Sequence, residues 1–200
     1  SAFSGCDNLT SFKISKESKL LSIPDDFVIF CSNFENIEIP EDSVIRSFEY
    51  YSFAYSTIKS LYIPSKVNFI HENWCDNTNS LEKVSVSSEN QNFKYLDEKH
   101  QIIVQKSDTG NFDNLFFANR NIIEVFIPNS ILHICPNAFK NCKKLKKVTF
   151  QENSNLQFIN NKAFYSTNIK SVVVPKRVCM FSKNSFSKCQ SLVSFEFLGS

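Results

Sequence analysis

Along this chain an apolar opener is followed three and five residues later by further apolar side chains, with polar residues in between. Eight segments share the frame: Leu9-x-x-Phe12-x-Ile14, Phe34-x-x-Ile37-x-Ile39, Ile58-x-x-Leu61-x-Ile63, Leu81-x-x-Val84-x-Val86, Ile122-x-x-Val125-x-Ile127, Leu145-x-x-Val148-x-Phe150, Ile169-x-x-Val172-x-Val174 and Leu192-x-x-Phe195-x-Phe197. The openers lie 23 to 25 residues apart, except for a gap of 41 between Leu81 and Ile122. Alternation over four or five positions predicts a short strand with one buried face. One strand per period in the twenties predicts a solenoid, in which each repeat buries its apolar face only against its neighbours.

A few residues upstream of most openers sits an aromatic: Phe3, Phe53, Phe117, Phe139, Phe164 and Phe186, with Trp74 displaced by one and the Phe34 copy irregular. Stacked rings at this phase would fill the half of the core opposite the strands. Four copies end in proline after the strand (Pro40, Pro64, Pro128, Pro175) and go on with a short apolar three-step, as in Pro128, Ile131, Ile134. The others continue through a longer polar loop, such as QENSNLQF at 151–158, and from Ile122 onward the two kinds alternate as a pair of about 47 residues.

The segments NAFKNCKKLKKVTF, KAFYSTNIKSVVVPKRV and NSFSKCQSLVSFEF resemble the A-F-x-x-C-x-x-L-x-x-[VIF]-x-[IFV]-P-x-x-V units of the BspA-like (Treponema-type) leucine-rich repeat family of surface antigens. Residues 90–117 are similar to that family's irregular N-x-x-F unit, which carries a hairpin; Glu98 and Lys99 stand where its glycine is usual. The resemblance implies a right-handed leucine-rich repeat superhelix, with one short parallel strand per repeat on the concave face and turns or 3₁₀ segments on the convex face. Residues 1–200 are expected to form a single domain, with the hairpin-containing repeat at about 87–117. The chain opens at Ser1 inside a repeat, which suggests a piece of a longer array.

Composition fits a folded, unspecialised surface. The chain is 42% hydrophobic and 14% aromatic, enough for a sizeable core. Twenty-two Lys and Arg against twenty Asp and Glu give +2, without the field of a dedicated polyanion binder. No run approaches the length of a membrane span, so membrane insertion by this segment is not expected. With three glycines in a chain of many turns, asparagine is expected at left-handed turn positions.

No metal, nucleotide or catalytic motif is present in the sequence, and no cofactor is expected. His71, His100 and His133 fall in different repeats, so no enzymatic constellation is expected. Cys6, Cys142 and Cys189 share one repeat phase, where Ser56 and Thr167 are also small, and are expected to be buried thiols. Repeats stack about 4.8 Å apart, which puts Cys142 and Cys189 about 10 Å apart, too far for a disulfide. Cys31, Cys75, Cys135 and Cys179 show no shared phase, and the count alone leaves the redox compartment open.

The residues between the buried strand positions face outward and align in columns. Those columns place Tyr62, Ile123, Phe126, Val173 and Val193 as apolar side chains on a wet face. Such residues either suit strands or mark an interaction surface. In AFKNCKKLKKVTF, Lys140, Lys143, Lys144, Lys146 and Lys147 are expected outward, with Lys147 beside Glu124 and Lys146 beside Lys170. The candidate partner-binding residues are therefore Tyr62, Ile123, Phe126, Lys146, Lys147, Lys170, Val173 and Val193. The lysines lack interleaved exposed aromatics for base stacking, so nucleic acid is not an expected partner. The resemblance implies a non-enzymatic module at the cell surface that binds a protein or glycan of a host cell or the extracellular matrix. The alternatives are an intracellular, cytoplasmic scaffold for protein assembly and a spacer. Exposed end faces would favour self-association.

Overall fold

A computed structural model describes residues 2–199. The chain divides into two compact units, Ser1–Lys94 and Tyr95–Ser200. Each is built of turns of a parallel β-solenoid, and no helix occurs among the described residues.

In the first unit the front strands are β1 (Ser11–Lys13), β3 (Asn36–Glu38), β5 (Ser60–Ile63) and β7 (Lys83–Val86). The back carries two-residue strands β2 (Ser22–Ile23), β4 (Ser47–Phe48) and β6 (Phe69–Ile70), hydrogen-bonded in that order into a second parallel ladder. β8 (Phe93–Tyr95) leads into the second unit. There β9 (Ile102–Gln105) is hydrogen-bonded to β8 across the turn at 96–101, the place of the expected hairpin, and on its other edge pairs antiparallel with β10 (Asn114–Ala118), with a register shift between Leu115 and Phe117. The front strands that follow are β11 (Glu124–Ile127), β13 (Lys147–Phe150), β15 (Ser171–Val174) and β17 (Ser194–Phe197). Behind them β12 (His133–Ile134), β14 (Phe158–Ile159) and β16 (Met180–Phe181) extend the ladder from β10.

The frame read from the sequence is the core. Ile58, Leu61, Ile63, Leu145, Ile169 and Val174 are almost wholly buried, and so are the aromatics Phe53, Phe139 and Phe164. Phe139 and Phe164 stack with centroids 4.9 Å apart and planes 3° from parallel, and Phe186 continues the stack at 5.0 Å. In the first unit Trp74 takes the aromatic phase and meets Phe53 edge-on at 6.2 Å. Burying each ring is worth roughly 1.5 to 3 kcal/mol, and the rise of one repeat sets the spacing at which the rings meet.

The outermost repeats depart from the expected core. Phe195 and Phe197 are 45% and 42% exposed, and Cys6 is exposed. Each lies in a repeat that has only one neighbour within these 200 residues, so one side of its apolar face has nothing to pack against.

The front ladder is cut into two-stranded ribbons, β1–β3, β5–β7, β11–β13 and β15–β17, while the back ladders run unbroken through three or more strands. Proline stands at two of the cuts. Where a strand is followed by an ordinary residue, that residue's N–H closes the ladder onto the preceding strand: Ser87 donates to the Ile63 carbonyl at 3.0 Å, Gln151 to Ile127 at 2.9 Å and Leu198 to Val174 at 3.1 Å. Pro64 and Pro175 occupy the same place after β5 and β15 and have no N–H to offer to β3 and β13. Pro40 removes the same donor after β3, and the β1–β3 ladder is one pair shorter than the other three.

Buried polar groups at the turns are met by side chains. Asn90 is 6% exposed; its amide nitrogen donates to the carbonyls of Pro64 and Val67 at 2.7 and 2.9 Å, and its oxygen accepts from the N–H groups of Asn92 and Phe93, both at 2.8 Å. The amide thereby replaces backbone partners that the turning chain cannot supply. At the turn between β8 and β9, where Glu98 and Lys99 stand in place of the usual glycine, His100 takes the left-handed conformation at φ 54° and stacks on Tyr95 with centroids 4.2 Å apart. The Asp97 carboxylate closes the turn by accepting from the N–H groups of Gln101 and Ile102.

Candidate functional site

The front of the second unit presents most of the residues singled out from the sequence. Ile123, Phe126, Val173 and Val193 are 58%, 57%, 48% and 90% exposed, and Lys146, Lys147 and Lys170 are exposed as well. Their placement follows from strand geometry. Val125 and Ile127 point into the core, so Phe126 must point out, and the same alternation in Ser171–Val174 turns Val173 outward. The register sets Phe126 against Thr149, Glu124 against Lys147 and Val173 against Glu196. At the strand entry, Lys146 N–H donates to the Ile123 carbonyl and Val193 N–H to the Lys170 carbonyl, both at 2.8 Å. The expected Lys146–Lys170 pairing falls at the break between β13 and β15, where no ladder joins the strands.

Two grooves open on this face. One, of about 560 Å³, follows the proline break and is lined by Lys147, Thr149, Gln151, Ser171, Val173 and Lys176 among others. The second, of about 600 Å³, lies between the β8–β9 turn and β11, where Asp97, Glu98 and Lys99 face Glu124, Phe126 and Lys147. Lys147 and Thr149 line both grooves. The face thus offers apolar contact at Phe126 and Val173, a cation at Lys147 and carboxylates at one margin. Such a mixed surface suits a polar partner with an apolar patch.

Two expectations fail in detail. Tyr62 lies in the first unit and is half-buried, and its hydroxyl donates to the Glu41 carboxylate, which also accepts from Ser87. It is a structural tie rather than an exposed apolar contact. Lys140 is buried at 5% exposure, in the turn between Asn137 and Asn141, both at positive φ, where the chain doubles back. Lys143 is exposed as expected, and its ammonium donates to the Ser166 hydroxyl. Elsewhere the columns hold: Lys13 pairs with Glu38 at 2.9 Å and Lys59 with Glu35 at 2.8 Å, in neighbouring repeats. The bond to Glu38 raises the pKa of Lys13.

A surface that the sequence did not disclose lies in the first unit. Phe30 and Tyr55 pack at 4.9 Å, Tyr50 and Tyr51 at 3.9 Å, and His71 meets Tyr50 at 4.8 Å and Phe69 at 6.4 Å. Phe30, Tyr50, Tyr55 and Phe69 are all exposed. Hydrogen bonding to Tyr50, with burial, pushes the Tyr51 phenol up to about 12. These side chains belong to turns and to two-residue strands, which leave too short a pattern to read.

Among the described residues no disulfide joins two cysteines, and no group of three or more His, Cys, Asp or Glu is placed to hold a metal. Cys142 is buried, and burial pushes its thiol up against the opposing effect of the nearby Arg120. Cys189 is half-buried, in the last repeat, and Cys6 is exposed in the first. Cys31 does have a phase. It follows Val28 as Cys142 follows Phe139, by three residues, and was obscured because valine stands there in place of the aromatic.

The family model for the BspA type leucine rich repeat region matches this chain in six copies, over residues 1–98 and 107–200. Three solved structures are similar in fold. A leucine-rich repeat protein from Eubacterium ventriosum ATCC 27560 is 21% identical with a TM-score of 0.75, over 98% of this chain and 56% of the other. The pneumococcal vaccine antigen PcpA is 19% identical with a TM-score of 0.74, over 94% and 51%. A leucine rich cell surface protein from Faecalibacterium prausnitzii A2-165 is 17% identical with a TM-score of 0.60, over 98% and 61%. This chain therefore spans a little over half of each of these proteins. No curated protein matches it.

Proposed function

From the premise that this chain belongs to the BspA-type leucine-rich repeat family over nearly its whole length, we propose that it is a non-enzymatic recognition module displayed at a cell surface. It binds a protein or glycan ligand of a host cell or the extracellular matrix through the front of its second unit. The observation that carries this reading is the coincidence of Phe126, Val173 and Lys147 with two adjoining grooves on a rigid strand face. Ile123, Lys146, Lys170 and Val193 border the same face at the strand entries. A preformed surface loses little conformational entropy on binding, so modest contacts repeated along it yield useful affinity. Surface display is in keeping with the description of one structural neighbour as a cell surface protein and of another as a vaccine antigen. No helix among the described residues is long and apolar enough to cross a membrane.

The test is binding of the labelled protein to intact epithelial cells and to purified matrix proteins, compared with a Phe126→Ser, Val173→Ser, Lys147→Glu variant whose circular dichroism is unchanged. Saturable binding reduced at least about tenfold in the variant is expected, since loss of a few central contacts costs more than about 1.4 kcal/mol. Unchanged binding would move the site off this face, and an absence of binding by the natural sequence would favour an assembly scaffold or a spacer.

A further inference from the structure

Cys6 and Cys31 lie level with one another in adjacent repeats. Each stands three residues before its repeat's opener, Leu9 or Phe34, and each closes the same turn: Leu9 N–H donates to the Cys6 carbonyl at 3.0 Å and Phe34 N–H to the Cys31 carbonyl at 3.1 Å. The bonds on either side hold the two turns in register. Gly5 N–H donates to Ile29 O at 2.9 Å, Ser32 Oγ to Asp7 Oδ1 at 2.8 Å, and Asn33 Nδ2 to Asp7 O at 2.8 Å. Between them, the Phe3 carbonyl accepts from both Cys6 N–H at 3.2 Å and Cys31 Sγ at 2.9 Å, so the Cys31 sulfur already lies beside the Cys6 backbone.

One repeat rise, about 4.8 Å, falls inside the range of roughly 4.4 to 6.8 Å over which two Cα atoms accept a disulfide. By contrast, Cys142 and Cys189 have the Thr167 repeat between them. Cys6 is exposed and Cys31 fully buried, which makes the first the sulfur that meets a solvent oxidant and the second the one that resolves it.

We propose that Cys6 and Cys31 form an intrachain disulfide that clamps the first repeat to the second. The oxidant is a small-molecule disulfide. The Cys6 thiolate attacks one of its sulfurs and releases one thiolate, leaving a mixed disulfide. The Cys31 thiolate then attacks Cys6 Sγ, the mixed S–S bond breaks and the second thiolate leaves. The two protein thiols give up two protons and two electrons, and the small disulfide becomes two thiols. Buried Cys31, whose thiol is pushed up by desolvation, makes the second step the slower one. The clamp does not rest on the proposed ligand-binding face, which lies in the other unit.

The test uses the purified protein, reduced, desalted, equilibrated with glutathione disulfide at neutral pH, alkylated and digested with trypsin. Cleavage after Lys13, Lys19 and Arg46 leaves Cys6 and Cys31 in separate peptides with one cysteine each. The expected product is those two peptides joined, two hydrogens lighter than their sum. The oxidised protein should melt roughly 5 to 10 °C higher than the reduced one, a gain absent in Cys6→Ser and in Cys31→Ser. Three results would overturn the proposal: Cys6 recovered only as its glutathione adduct, Cys6 linked to Cys6 of a second copy, or both cysteines alkylated in a protein whose circular dichroism shows it folded.

Discussion

Thirteen described residues other than glycine sit in left-handed backbone, and several come in pairs four apart around the ring phase: Tyr51 and Tyr55 about Phe53, Asn137 and Asn141 about Phe139, Lys162 and Ser166 about Phe164. Asp26 and Phe30 flank Val28 in the same way, which identifies valine as the aromatic's substitute and brings Cys31 into phase. Each such residue costs about 1 to 2 kcal/mol unless it is asparagine or aspartate, whose short side chains relieve the strain. Asparagine holds five of these positions, as the scarcity of glycine suggested. The alternation of apolar residues gave no warning that Lys140 would be buried or that Tyr62 would be tied to Glu41, because the first depends on the turn between Asn137 and Asn141 and the second on a partner one repeat away. Tyr51 supplies a test at this scale. In a titration followed at 295 nm, one of the six tyrosines should ionise late, near 12, and this late step should vanish in Tyr51→Phe. Because an unfolded tyrosine titrates near 10, the stability gained from this group is full below about pH 10 and is lost as pH rises through about 12.

At the scale of the strand, the prolines were visible in the sequence as strand ends, but their effect on pairing becomes apparent only with the register. Pro175 lies where the next residue of a ladder would donate to β13, and the groove beside Val173 lies along that break. Pro175→Ala restores an N–H there. The expected outcome is slow hydrogen exchange of the new residue-175 amide and a narrower groove, with stability changed by less than about 1 kcal/mol, since the added hydrogen bond is offset by the flexibility returned to the unfolded chain. Rapid exchange at that amide would show that something other than proline parts the strands. The back ladders were missed because two-residue strands such as Phe158–Ile159 are too short to carry a period of two. Their trace in the sequence was the three-step Pro128, Ile131, Ile134, whose last member lies in β12.

Over the whole molecule, stability is a sum of local terms, because each repeat touches only its neighbours. β17, with all four residues exposed, should therefore exchange its amide hydrogens earliest among the front strands of its unit, while β12 and β14, backed by Ile131, Leu156 and Phe164, should exchange last. Uniform protection across these strands would mean that the unit opens as a single block. The solenoid and its repeat boundaries could be read from the sequence because the buried frame recurs many times, whereas the exposed aromatic cluster could not, since it recurs only once. The break between β13 and β15 also sets the grain in which such a chain can grow. Removing residues 122–168 would delete one proline-ended and one polar-looped repeat together, bringing β15 to the place of β11 and β16 to that of β12. Removing a single repeat would instead set two strands of the same kind side by side, as at β3 and β5, both ended by proline, where the ladder is broken. Over generations, the length of the array would therefore drift at least cost by gain and loss of whole pairs.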